Sequence, residues 1–118
     1  MNNSILTSIK KLLGLTEEYE VFDADIITHI NTVFLTLQQV GVGPENGFMI
    51  NDKYALWTEF IDTDSEPENL TLLSAVKSYI YLKVKLLFDP PLNGSVMEAN
   101  KQMIQELEWR LNIEAESE

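Results

Sequence analysis

Cysteine is absent from this 118-residue chain, and histidine occurs once. The first absence removes disulfides, thiolate metal sites and cysteine nucleophiles together. Cations are also scarce: eight Lys and Arg stand against nineteen Asp and Glu, a formal net charge of −11. Ordinary binding to a phosphate backbone depends on basic side chains releasing counterions, so that class of nucleic-acid binder is disfavoured. No apolar run reaches the roughly 18–20 residues that cross a bilayer, and the opening MNNSILTSIKK lacks a signal-peptide cleavage pattern. The expectation is a protein without membrane association, resident or made in the cytoplasm.

What remains is ordinary globular material, 45% hydrophobic and 23% charged. A chain of this length fits one domain, residues 1–118, able to bury about two-thirds of its unfolded surface. The most telling stretch is SYIYLKVKLLFDPP (78–91), a helix cut off by Asp89-Pro90-Pro91. At about 100° per residue from Leu70, the apolar positions from Leu72 to Leu87 cover an arc of roughly 200°. An outer helix needs only about 100°. Part of its cover is therefore expected from another subunit, which points to an assembly component rather than a free-standing enzyme.

Four further helices complete an expected all-α architecture. Residues 5–13 form the first, capped by Ser4 and stopped by Gly14. The second has Asp23 as cap, Phe22 placed to staple onto Ile27, a face of Ile26, Ile27, Ile30, Val33, Phe34, Leu37 and Val40, and Gly41 as stop. A turn-rich loop follows, with Phe48 and Ile50 alternating like a short strand at most. Residues 52–61 read as a short helix capped by Asn51, and 62–69 as a linker too acidic to pack. The long helix spans 70–88. The last spans 95–113, with Ser95 and Glu98 as a capping box and Val96, Ala99, Met103, Ile104, Leu107 and Leu111 on one side, and an acidic flexible tail follows over about 114–118.

The search for chemistry mostly fails. His29 lies one turn after Asp25 but has no nucleophile beside it, so it reads as a surface or boundary residue. Asp62-Thr63-Asp64-Ser65-Glu66-Pro67-Glu68 alternates oxygen ligands like a calcium loop. It has Pro67 where that loop needs its glycine, and Leu73 where it needs the bidentate carboxylate. The glycines of residues 41–47 lack the Lys-Ser/Thr ending of a phosphate-binding loop. No catalytic residue, metal or cofactor is expected.

Contacts are the better reading of the unusual positions. Lys83 sits within the wide apolar arc, where it snorkels, pairs with a carboxylate of its own chain, or lies at a subunit boundary. Leu35 falls on the polar face of the second helix, a contact in an oligomer or a lone exposed leucine. Trp109 points away from the apolar stripe of the last helix, toward a partner or a neighbouring helix. Arg110 is of a type enriched at interfaces, yet one turn from Glu106 it can simply bridge to it. Asp62, Asp64, Glu66 and Glu68 give solubility, repel DNA, or meet a basic partner.

Five blocks in order, SIKKLLGL (8–15), DADIITHIN (23–31), QVGVGPENGF (39–48), SYIYLKVKLLFDPP (78–91) and EWRLN (108–112), make the chain resemble the head–tail connector, or head-completion adaptor, proteins of long-tailed phages and prophages. The resemblance spans nearly the whole chain, and no block is a catalytic signature. It implies a helical, non-enzymatic virion protein at the head–tail junction, present in the host cytoplasm during assembly. It further implies a ring of about a dozen copies, monomeric alone in one version, with closed symmetry. Its partners would be the portal and a downstream adaptor or tail-completion protein, with DNA passing through without specific binding. The portal contact is expected at the last helix and tail. Two other readings compete. One is an acidic DNA mimic occupying a basic DNA-binding protein, which needs carboxylates spread over a folded face. The other is a helical metal enzyme, which lacks its Glu-x-x-His ligands.

Overall fold

The long apolar helix organises the molecule. The computed structural model describes residues 3–116, in which α1 (Ile5–Leu12), α2 (Asp23–Gln39), α3 (Trp57–Phe60), α4 (Asn69–Phe88) and α5 (Gly94–Glu116) follow one another. No strand forms among the described residues beyond an isolated bridge between Ser4 and Leu56, so the fold is all-α. Helices α1, α2 and α5 all pack on α4. Leu73, Val76, Tyr79, Ile80, Leu82 and Val84 are buried, and of the apolar side chains of α4 only Leu70 and Leu87 are exposed. The wide apolar arc is thus covered by the chain itself. A neighbouring subunit is not required for it, because three helices approach α4 from different sides.

Local chemistry sets most helix ends. The Ser4 hydroxyl accepts from the Thr7 N–H at 3.2 Å and caps α1, as expected, while donating to the Lys53 carbonyl at 2.6 Å. Two caps fall elsewhere. Asp23 is the first residue of α2 and caps nothing; its carboxylate lies 2.8 Å from the Lys10 ammonium. Lys10 is only 2% exposed and also donates to the Glu17 carbonyl at 3.0 Å. Phe22 sets its ring edge-on against Tyr19 and Phe88, tying the start of α2 to the end of α4. Helix α5 is capped by Asn93, whose side-chain oxygen accepts from Ser95 and Val96 at 2.8 and 3.2 Å, so Ser95 lies inside the helix. The helix also continues to Glu116, through the start of the expected flexible tail; Ser117 and Glu118 lie outside the described residues.

The expected helix over 52–61 shrinks to its last turn. Residues 3–5 pair with residues 55–57 through Ile5 N–H to Ala55 O and Trp57 N–H to Asn3 O, both at 3.0 Å. That pairing holds residues 54–56 out of helix. Helix α3 then begins after Leu56, whose N–H donates to Glu59 Oε1 at 2.6 Å. Trp57 is fully buried and donates from Nε1 to Ser8 Oγ at 3.1 Å.

Between α2 and α3 the chain needs no strand either. The Asn31 amide pairs with both backbone groups of Ile50, accepting its N–H at 2.8 Å and donating to its carbonyl at 2.9 Å. Phe34, Phe48 and Phe60 form a ring cluster beside it, with centroids 4.7–5.3 Å apart. Gly43 crosses this cluster with φ +93°, and a Cβ there would stand 2.4 Å from a Phe60 ring carbon.

Gly43→Ala therefore meets two penalties, a left-handed backbone and a ring that must move. We expect a loss of about 2–4 kcal/mol, read as a lower urea midpoint at unchanged slope. Gly94→Ala, with open space around it, should stay within about 0.5 kcal/mol of the parent or exceed it.

Candidate assembly surface

Helix α5 meets α4 along a narrow seam. On its inner side Ile104 and Leu111 are buried, with Leu107 packed partly beside them. Glu108 stands on this inner face, one turn from Ile104 and from Leu111. Its Oε2 accepts the Tyr79 hydroxyl at 2.7 Å and lies 3.9 Å from the Lys83 ammonium. Lys83 also sits 5.8 Å above the Tyr79 ring. The lysine within the apolar arc is thus paired inside its own chain. Burial first, and then the Glu108 carboxylate, push the Tyr79 phenol well above its usual pKa.

Helix α5 also keeps large apolar side chains in solvent. Val96, Met103, Trp109 and Ile113 are all exposed, Trp109 by 65%. Arg110 pairs with Glu106 at 3.0 Å, both well exposed, so the local bridge forms. Where the last turns of α5 run beside the first turns of α4, a groove of about 530 Å³ opens. Leu72, Ala75, Leu111 and Ile113 line it together with Trp109, Arg110, Glu68 and Glu114. Leu35, 57% exposed, borders a separate depression with Asn31, Phe48 and Met49.

The acidic 62–68 segment is more ordered than a linker too acidic to pack. The Asp62 carboxylate accepts from the N–H groups of Asp64 and Ser65 at 3.1 and 3.0 Å, and the Asn69 amide donates to the Asp62 carbonyl at 3.0 Å. The Ser65 N–H, above all, holds the Asp62 carboxyl below its ordinary range. Asp64, Glu66 and Glu68 point their charge to solvent. Among the described residues, no group of three or more His, Cys, Asp and Glu is placed to hold a metal ion, and no helix is long and apolar enough to cross a membrane.

Of the residues singled out in the sequence, the structure thus gathers Trp109, Arg110 and Glu68 at one groove. Lys83 lies on the seam, and Leu35 borders another surface. Sequence reasoning missed Glu108, although a carboxylate on the apolar stripe of α5 was a signal that it answers a cation on α4. It also missed Ile113 and Leu72 as groove walls.

The family described as phage connector protein matches residues 5–118, which takes in all five helices. The chain belongs to that family. No curated protein and no solved structure compared with it matches. The family is one of structural phage proteins and not an enzyme class, and membership implies contact with other proteins of virion assembly. In the connector, Val96, Met103, Trp109 and Ile113 are thus large apolar side chains of α5 left in solvent.

The Tyr79 hydroxyl bond to Glu108 ties α5 to α4, and the raised pKa of the phenol links that bond to pH. The unfolded phenol ionises near pH 10, whereas the folded one keeps its proton to higher pH. The seam's contribution is therefore complete below about pH 10 and falls away as pH rises toward the folded value. Tyr79→Phe should cost about 1–2 kcal/mol at neutral pH and flatten part of the fall in stability between about pH 9 and pH 11. Denaturant titrations of both proteins across that range measure it; parallel curves would show that the seam does not titrate.

Proposed function

We propose that this connector is a subunit of the ring beneath the portal vertex, extending the DNA channel and joining head to tail. The observation that carries the reading is the family match over residues 5–118. In this reading about a dozen copies stand side by side under closed symmetry, with the portal on one side and a downstream adaptor or tail-completion protein on the other. The chain folds as a single domain, 1–118, and remains monomeric until a portal templates the ring. Trp109, Arg110 and Leu35 are contact residues, and Lys83 serves by holding α5 to α4.

The charge supports the same role. A conduit must let DNA slide without sticking, and carboxylates repel phosphates within about 8–10 Å at physiological salt. Asp62, Asp64, Glu66 and Glu68 are the segment we assign to the lumen. Each subunit brings a net −11, and a ring multiplies it.

Mass measurement of the purified connector, alone and mixed with its portal, tests the proposal. A single chain that joins a large symmetric complex only in the mixture is expected; unchanged masses in the mixture would refute it. In DNA-filled particles carrying Asp62→Lys, Asp64→Lys, Glu66→Lys and Glu68→Lys, DNA exit should slow, and unaltered exit would remove this segment from the lumen.

A further inference from the structure

We propose that the groove between the first turns of α4 and the last turns of α5 docks an amphipathic helix of another protein, its apolar face flanked by lysine or arginine. The size fits a segment rather than a domain. About 530 Å³ accommodates a few large side chains, within the range of pockets that grip a ligand by its apolar parts. The floor and walls suit an apolar stripe at helical spacing, since Leu72, Ala75, Leu111 and Ile113 line the space along two helices. Trp109 stands at the wall, 65% exposed, while the other tryptophan, Trp57, is wholly buried. An indole face left in solvent beside a groove offers both area and a cation–π site.

Charge selects the occupant. Glu114 and Glu68, the latter at the end of the acidic turn where α4 begins, belong to the groove. The one cation of the lining, Arg110, is engaged by Glu106 at 3.0 Å. A helix bearing Lys or Arg beside its apolar stripe is complementary to that setting; an acidic one is repelled. A second copy of this chain is a poor occupant. Its net charge is −11, and of the lysines on its α4 and α5, Lys83 and Lys85 are engaged with Glu108 and Asp89 and Lys77 lies over Trp57, which leaves Lys101 alone to offer a cation. The inference goes beyond the connector reading, because it names the chemistry of a partner segment and does not depend on ring geometry.

Titration of the full chain with a synthetic amphipathic helix of leucine and lysine, and with its leucine–glutamate counterpart, tests this by indole fluorescence and backbone amide shifts. The lysine peptide should bind, with shifts confined to residues 68–75 and 109–114, and the glutamate peptide should not. Trp109→Ala should weaken binding by about tenfold or more, as should Glu68→Lys combined with Glu114→Lys. Glu17→Lys with Glu18→Lys makes the same change of charge outside the groove and should do much less. Equal weakening by the two charge pairs would mean attraction to net charge alone and overturn the proposal. So would shifts centred on Leu35 and Met49, or a concentration-dependent dimer abolished by Trp109→Ala, which would make a second copy the occupant. A connector that joins its portal but ignores the peptide loses this inference and keeps the other.

Discussion

Everything in this molecule follows from the need to keep α4 dry. Apolar burial is the dominant favourable term in folding, and α4 concentrates it in one helix. Covering that helix takes α1, α2 and the inner side of α5. The allocation leaves α5 only partly covered, and along it Val96, Met103, Trp109 and Ile113 remain in solvent. A chain that spends its helices on one central element has its contact surface chosen for it.

The scarce cations obey the same economy. Lys10 is sunk beside Asp23, Lys53 faces Glu20 at 3.8 Å, Lys83 and Lys85 meet Glu108 and Asp89, and Arg110 meets Glu106. Lys77 lies over the Trp57 ring at 5.4 Å. Most of the positive charge is thus engaged in fastening the chain to itself. Surplus carboxylates are left to face outward, and the acidity of the sequence becomes acidity of the surface. Exposed pairs of this kind add little stability one by one. Lys10 with Asp23 is the exception, since stripping either partner would leave a largely buried charge.

Much of this was legible in the residues. Asp89-Pro90-Pro91 ends α4 where proline must end a helix, Gly41 with φ +88° ends α2, and Ser4 starts α1. These are decisions of neighbours in sequence. The failures are decisions of distant residues. Residues 52–56 have helical character locally, yet Ile5, fifty positions earlier, takes the Ala55 carbonyl, and Asn3 takes the N–H of the neighbouring Trp57. Asn93 and Ser95 are both good caps, and the Ser95–Glu98 pattern alone could not show that the Asn93 amide starts the helix earlier. The apolar arc of α4 was read correctly, but an arc cannot say whose helices cover it. Lys83 stood out within the arc, while its partner Glu108 became visible only with α5 in place. The groove was invisible for the same reason: Leu72 and Ile113 are ordinary helix residues until two helix ends lie side by side.

Hydrogen–deuterium exchange, compared between the free connector and the protein within its assembled particle, asks most directly whether α4 is enclosed by its own chain. Residues 76–84 should be among the slowest to exchange in the free protein and change little on assembly, while new protection falls on the groove, residues 109–113 included. Rapid exchange across α4 in the free protein, slowed only within the particle, would mean that other subunits supply its cover and would contradict the arrangement described above.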